Sequence, residues 1–214
     1  ERQLIGVADP GHDESPSRCT NSVYINCPLD ASYRASFDAI LFATVCCGFE
    51  PRSAPEAGTV PEPRIHRVYR TLFDCRYSIH DLSRCTGEGD ENLARFNMPL
   101  ELGMAMARHF QAPNEHQWFA LVPRGKSYLR FVSDLAAYDL GEYEPDSLHE
   151  LLAQVVAWLT SPTRSAGSAV TPDRVLSYLP RFQEERAQLD KKWLNFAPWA
   201  AVVEQAIKVT KLLG

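Results

Sequence analysis

Strand-like and helical segments alternate about five times in the first 160 residues, which limits the chain to a small set of folds. The first unit is Val23–Asn26, a short run of β-forming residues, followed by a turn and by an apolar stripe of helical period over 31–47. Parallel strands joined by helices form open sheets that are covered on both faces. This alternation therefore predicts an α/β fold.

The later segments repeat this unit. Strands are predicted at 49–54, 76–82, 117–122 and 137–143, and helices at 64–75, 128–137 and 148–159. A central helix is predicted to begin after Asn97 and to include 100–107. Right-handed crossovers between such units give a flavodoxin-like, mostly parallel five-stranded sheet. We expect the strand order 2-1-3-4-5, with helices on both faces.

Composition shifts divide the chain into four parts. Residues 1–20 are polar and turn-rich, and we interpret them as a loose arm with one short strand at Leu4–Val7. The α/β domain should span 21–160, and the composition of 161–170, rich in Ser, Pro, Gly and Ala, predicts a linker. Residues 171–214 form a C-terminal extension with two predicted helices, 171–189 and 193–213.

The extension is too apolar to be a solvated appendage. Its second helix carries an apolar set that includes Trp193, Phe196, Trp199, Val203 and Ile207. These side chains either cover the α/β domain or form a contact surface for another chain. The sequence therefore predicts a homo-oligomer or a protein partner bound through 171–214.

Charge and hydropathy exclude several classes of function. The net charge of −5 argues against broad nucleic-acid binding. No apolar run reaches the roughly 18 residues of a membrane span, so no membrane role is expected. The six cysteines show no C-x-x-C pair, which favours reduced thiols and a cytoplasmic protein without a leader peptide.

The stretch 95–107 contains the most suggestive chemistry. Asn97 is a candidate N-cap, and Pro99 is tolerated in a first helical turn. Glu101 follows one turn into a helix that looks apolar all round, and hence buried, while Gly103 would admit close approach. Glu101 is either an acid that complements the helix dipole or a catalytic carboxylate.

Further polar residues follow the ends of predicted strands, where open α/β sheets bind ligands. Asp81 ends the third strand, whereas His80 faces the other way and is expected to be structural. Arg84 and Arg95 flank an acidic loop, 85–96, that is a candidate lid and could place both guanidinium groups on phosphates. The candidate substrate-binding residues are Asn26, Asp30, Ser83, Arg84, Arg95 and Asn97.

Glu101-Leu102-Gly103-x-Ala105 resembles the Glu-Leu-Gly-Tyr-Ala stretch of nucleoside 2-deoxyribosyltransferases, whose fold family includes the TIR domains. The stretches 24–30, 77–83 and 96–105 carry this resemblance. It implies a nucleotide-binding domain in which Glu101 is the catalytic nucleophile at the sugar C1′. Asp81 would bind ribose hydroxyls or assist the leaving base.

The resemblance leaves two functions open. One is cleavage of the N-glycosidic bond of NAD or a nucleotide, with no resident cofactor and no metal, as in TIR-like effectors of bacterial defence. The other is a non-catalytic sensor that binds a nucleotide signal and signals through its C-terminal helices. The environment of Glu101 distinguishes them: an open pocket favours the enzyme, and a buried salt bridge favours the sensor.

Overall fold

The computed structural model describes residues 19–56, 62–85, 95–125, 127–164 and 170–212. The predicted strand at Leu4–Val7 lies outside these ranges. So do most of the candidate lid (86–94) and half of the predicted linker (165–169).

Five parallel strands form one sheet in the order β2-β1-β3-β4-β5, as the sequence predicts. Their bounds are β1 Cys19–Asn26, β2 Glu50–Ser53, β3 Cys75–Asp81, β4 Gln117–Pro123 and β5 Gly141–Tyr143. The chain reverses direction across the sheet between β1 and β3. The carboxyl ends of these two strands therefore flank the topological switch point, where α/β sheets bind ligands.

Six α-helices lie within the described ranges and cover both faces of the sheet. They are α1 Arg34–Cys46, α2 Arg64–Asp74, α3 Asn97–Gln111, α4 Leu148–Leu159, α5 Pro172–Lys192 and α6 Trp199–Thr210. Helices α2 and α3 cover one face, and α1, α4, α5 and α6 form the layer on the other. None of the helices in the described part of the chain is long and apolar enough to cross a membrane.

The C-terminal extension is part of the main hydrophobic core. Val175, Leu179 and Phe182 of α5 are buried against the α/β domain, as are residues of α6 such as Val202. The ring of Phe182 stacks on Phe42 of α1 with 5.1 Å between centroids. These helices therefore complete the covering layer instead of standing apart from the domain.

The connection between α5 and α6 is an exposed apolar turn, Trp193–Phe196, which we call the aromatic turn. Leu194 and Asn195 have φ angles of 51° and 69°, and left-handed backbone ends α5. The expectation that the last helix begins at Trp193 is therefore wrong, because it begins at Trp199 after Pro198. Leu194 is 78% exposed and Phe196 is 84% exposed.

The region before β5 also differs from the prediction. Instead of one helix over 128–137, the chain forms two short 3-10 helices, Ser127–Arg130 and Ser133–Ala137. β5 has only three residues and pairs with Leu121–Pro123 of β4. Among the described residues, no strand pairs with the outer edge of 117–120.

Helix α3 corrects three expectations. Asn97 is its first helical residue, and the cap position, Phe96, makes no side-chain capping bond. The helix is buried on one side only, since Leu100 and Phe110 are more than half exposed. Within the described part of the chain, and apart from the helix's own neighbouring residues, no atom lies within 4 Å of a Cβ built on Gly103, so none of these groups approaches this glycine closely.

Candidate functional site

Four of the candidate binding residues meet at the carboxyl ends of β1 and β3. Arg84 Nη2 donates to Asp30 Oδ1 at 3.2 Å, and Arg95 Nη1 donates to Asp30 Oδ2 at 2.8 Å. The Ser32 hydroxyl bonds the same carboxylate and, together with the nearby Arg84, lowers the pKa of Asp30 to about 2. Ser83 lies beside Arg84 at the end of β3. Asp30 is thus a carboxylate that holds both arginines at the switch point.

A cleft of about 550 Å³, which we call the edge cleft, opens next to this cluster. It lies beyond the carboxyl ends of β1, β3, β4 and β5 and beside the N-termini of α1 and α4. Its lining is rich in hydroxyl groups and includes two guanidinium groups. The lining residues are Ser32, Tyr33, Ser36, Ser83, Arg84, Pro123, Arg124, Ser127, Tyr143, Pro145 and Asp146.

Asp81 lies directly beneath the edge cleft and is fully buried. Its carboxylate accepts hydrogen bonds from the Tyr143 hydroxyl at 2.6 Å and from the Ser83 backbone N–H at 2.8 Å. The Tyr33 hydroxyl also interacts with it. Burial raises the pKa of Asp81, although these donors oppose the shift. Three lining residues therefore connect the cleft to a buried carboxyl group.

Glu101 lies in a different environment. Its side chain is 2% exposed and accepts hydrogen bonds from the Tyr24 hydroxyl at 2.9 Å and from Arg64 Nη2 at 3.1 Å. Burial raises the pKa of Glu101, and Tyr24 and Arg64 oppose that shift. Glu101 does not line the edge cleft. It is a buried, ion-paired carboxylate between β1, α2 and α3.

The structure does not bring Asp81 and Glu101 together. Asp81 contacts Tyr33 and Tyr143, which belong to the core on the α1 and α4 face. Glu101 bonds Tyr24, which packs among residues of α2 and α3. The sheet itself separates the two carboxylates.

His80 belongs to a buried chain of hydrogen bonds between β1, β3 and the segment before β4. The Asn26 amide donates to Met98 O at 3.0 Å and is 2.9 Å from His80 Nδ1, which must therefore accept. His80 Nε2 donates to Ser78 Oγ at 2.8 Å, and Ser78 then donates to His116 Nε2 at 3.0 Å. His116 Nδ1 ends the chain by donating to a backbone carbonyl, Cys75 O, at 3.0 Å.

Each member of this chain has one possible hydrogen-bonding role, so both imidazole rings are neutral and each has a single tautomer. Burial lowers the pKa of His80 to about 3 and the pKa of His116 to about 4. The Asn26 side chain is occupied here and is buried. Asn26 therefore links β1 to β3 and to α3, and it does not line the edge cleft.

The remaining candidate, Asn97, is peripheral. Asn97 is exposed in the first turn of α3 and is absent from the cleft lining. Among the described residues, no group of three His, Cys, Asp or Glu side chains could hold a metal ion.

Sequence reasoning missed several residues of the cleft. Ser36, Arg124, Ser127 and Tyr143 line the cleft but are not among the candidates from the sequence. The available signal was position, because Arg124 and Tyr143 stand at the carboxyl ends of β4 and β5. Comparison of the chain with protein-family models and with curated proteins finds no match.

Proposed function

We propose that this protein binds a nucleotide or another small phosphate-bearing ligand in the edge cleft and acts as a non-catalytic sensor. The observation that carries the proposal is the lining of the cleft, in which hydroxyl groups accompany the guanidinium groups of Arg84 and Arg124. Planar guanidinium groups bind phosphate through paired hydrogen bonds. The burial of Glu101 supports the sensor over an enzyme that uses this residue.

Helix dipoles add to the attraction for an anion. Ser36 lies in the first turn of α1, and Ser32 lies in the short 3-10 helix directly before it. Pro145 and Asp146 precede Ser147, which is the N-cap of α4. A helix N-terminus carries partial positive charge and exposes backbone N–H groups. Two such termini at one cleft favour a phosphate group.

Binding would require the arginines to exchange partners. Arg84 is held by Asp30, and Arg124 is held by Glu144 and Glu150. These pairs are partly exposed and hence individually weak. A phosphate that takes Arg84 from Asp30 would alter the loop that leads into α1, against which α5 packs. This is a physical route from the cleft to the C-terminal helices.

Calorimetric titration with AMP, ADP, NAD and inorganic phosphate tests the proposal. Arg124→Gln combined with Ser127→Ala should weaken binding roughly 10- to 100-fold, because a charge-assisted hydrogen bond is lost. Arg70→Gln is the matched control. Arg70 lies on α2, outside the cleft lining, and also pairs with a carboxylate, Glu62. Failure of every probe to bind, or equal weakening by the control, would overturn the proposal.

N-glycosidic cleavage of NAD or a nucleotide is the second candidate function. The observation that favours it is the position of Asp81 beneath the cleft, where Tyr143 and Ser83 hold it, together with a pKa that burial raises, since a raised pKa favours the protonated form that a general acid needs. The assay is release of free base by wild type, Asp81→Asn and Glu101→Gln, including high protein concentration.

Each outcome of that assay has one meaning. If Glu101 stabilises the developing charge at C1′, Glu101→Gln should lose on the order of 100- to 1000-fold in rate. If Asp81 is the acid, Asp81→Asn should lose activity and Glu101→Gln should retain it. A wild type that releases no base under any condition contradicts the enzyme and leaves the sensor.

A further inference from the structure

The outer side of α3 carries no charged residue. The structure describes all 15 residues of this helix. The exposed ones are Asn97, Leu100, Gly103, Ala107, Phe110 and Gln111. A helix at a protein surface normally places charged residues on its outer side, as the neighbouring α2 does with Arg64 and Arg70. The outer side of α3 is therefore unlike a solvated surface.

The exposed apolar residues lie in one row along the helix. The row consists of Phe96, Leu100, Gly103, Ala107 and Phe110, and we call it the apolar face of α3. Its members follow at alternating steps of four and three residues, which is the spacing of the seam between two paired helices. Phe96, at the cap position, is 60% exposed, Leu100 is 55% exposed and Phe110 is 61% exposed.

Small residues occupy the centre of this face. Gly103 and Ala107 are one turn apart and separate the larger side chains of Leu100 and Phe110. Among the described residues beyond the helix itself, no atom lies within 4 Å of a Cβ built on Gly103, so the space above this glycine is open. A helix surface that is small at its centre lets the backbone of another helix come close.

The order of large and small residues is symmetric about the level of Ala105. Gly103 and Ala107 lie two residues to either side of it, and Leu100 and Phe110 lie five residues to either side. An antiparallel pair of α3 helices about a two-fold axis at this level would set Gly103 against the partner's Ala107. It would also set Leu100 against the partner's Phe110. The face is therefore complementary to itself, as a two-fold interface requires.

The charges beyond the two ends of α3 favour the same antiparallel arrangement. Arg95 precedes the helix and Glu115 follows it, and both are exposed. In an antiparallel pair the start of one helix lies beside the end of the other, so Arg95 comes near the partner's Glu115. A parallel pair would bring like charges and like helix dipoles together.

The exposed apolar area fits a small, reversible interface. A fully buried aromatic side chain covers roughly 150–250 Å², so Phe96, Leu100 and Phe110 together leave about 300–400 Å² open. Tyr69 on the adjacent α2 is 51% exposed and adds to this patch. A standard interface buries about 800 Å² per partner. We propose that α3 pairs with α3 of a second copy of this chain in an antiparallel two-fold dimer of micromolar affinity.

Sedimentation equilibrium of the full chain over a range of concentrations tests the dimer. Leu100→Ser and Phe110→Ser should each weaken association roughly 10-fold or more, because each removes two symmetric apolar contacts. Leu29→Ser is the matched control, since Leu29 is 53% exposed but lies after β1. A wild type that stays monomeric at roughly 100 µM, or equal weakening by the control, would overturn the proposal.

Gly103→Leu tests the close approach at the centre. The added side chain meets open space in a single chain, so the melting temperature measured at low concentration should hardly change. In the dimer the same side chain would force the two helices apart and abolish association. A folded Gly103→Leu protein that associates like wild type would overturn the proposal.

Mixing two variants tests the antiparallel register. Leu100→Glu and Phe110→Lys should each lose association alone, whereas an equal mixture should form a heterodimer in which the new Glu meets the new Lys. Leu100→Glu mixed with Phe110→Glu is the control and should not associate. Leu194→Ser with Phe196→Ser is the common background, which removes any association through the aromatic turn. Failure of the first mixture to associate, or equal association in the control, would overturn the antiparallel pairing.

Discussion

Asp81 and Glu101 are buried on opposite faces of one parallel sheet. Each is held by tyrosine hydroxyls, Asp81 by Tyr143 and Glu101 by Tyr24. One ligand in the edge cleft could approach Asp81 through the lining residues, whereas the sheet lies between that cleft and Glu101. Any chemistry that needs both carboxylates at one sugar requires a rearrangement of the fold.

The first prediction concerns Glu101. Burial raises its pKa, so the fold disfavours the charged form, and Glu101→Gln should change the free energy of unfolding by less than about 1 kcal/mol. Glu101→Ala should cost about 1–3 kcal/mol, because the buried Tyr24 hydroxyl loses its acceptor. Urea unfolding of both variants measures this. Equal destabilisation by Gln and Ala would show that the negative charge is required.

The second prediction concerns pH. His80 and His116 stay neutral in the fold, with pKa values of about 3 and about 4, whereas unfolded histidine titrates near 6.5. As pH falls from about 6.5 towards 4, the unfolded chain gains these protons first, and stability falls by about 1.4 kcal/mol per histidine per pH unit. Asp81 and Glu101, whose pKa values are raised, act in the opposite direction.

Imidazole ¹⁵N spectra isolate the two buried rings from these opposing carboxylates. Between pH 7 and 5, His80 should remain protonated on Nε2 alone and His116 on Nδ1 alone. The exposed His66 is the surface reference in the same spectra. Protonation of either buried ring near pH 6.5 would contradict the hydrogen-bond chain.

The third prediction compares two glycines. A Cβ on Gly141 would lie 2.5 Å from Cζ of Phe119, so Gly141→Ala should cost about 1–3 kcal/mol through overpacking. Gly103 has open space around it within α3, so Gly103→Ala should stabilise the protein by about 0.5–1 kcal/mol. Thermal and urea unfolding measure both. A neutral Gly141→Ala would mean that the Phe119 ring can move aside.

The fourth prediction compares two phenylalanines of the extension. Phe182 is fully buried and stacks on Phe42, so Phe182→Ala should destabilise the chain by about 3–5 kcal/mol. Phe196 is 84% exposed, so Phe196→Ala should stay within about 0.5 kcal/mol of wild type. A small effect of Phe182→Ala would show that α5 is not part of the core.

The fifth prediction concerns assembly. We propose that the aromatic turn contacts another chain, because Leu194 and Phe196, two residues apart in this turn, both expose most of their apolar side chains. Leu194→Ser with Phe196→Ser should lower the oligomeric state in analytical ultracentrifugation and leave the melting temperature nearly unchanged. Leu29→Ser, at a position 53% exposed after β1, is the matched control. Unchanged stoichiometry in the double variant would contradict this role.

The fold could be predicted because the apolar stripe of a helix and the alternating pattern of a strand are both visible in short stretches of sequence. The apolar stripe of α4 gives its bounds, Leu148–Leu159, and the alternation of strands and helices gives the sheet order. The end of α5 could not be predicted in this way. A left-handed Leu194 has no sequence signature, since this conformation disfavours leucine.

The candidate site was predictable only in part. Asp30, Ser83 and Arg84 follow strand ends, and topology alone places them together. The position of Glu101 depends on which face of α3 is buried. The sequence does not show that face, because Leu100 and Phe110 are apolar and yet exposed. The contribution of Tyr143 depends on how far β5 extends, and the short 3-10 helices before β5 set that limit.

The short β5 also has a consequence for the surface of the molecule. Within the described ranges, no strand lies beside the outer edge of β4 from Gln117 to Phe119, and Phe110, Tyr138 and Trp158 line the pocket at this edge. Unpaired N–H and C=O groups along a sheet edge are a template for an incoming extended peptide. An extended peptide docked at this notch would continue the sheet by supplying a row of backbone hydrogen bonds that β5 is too short to provide.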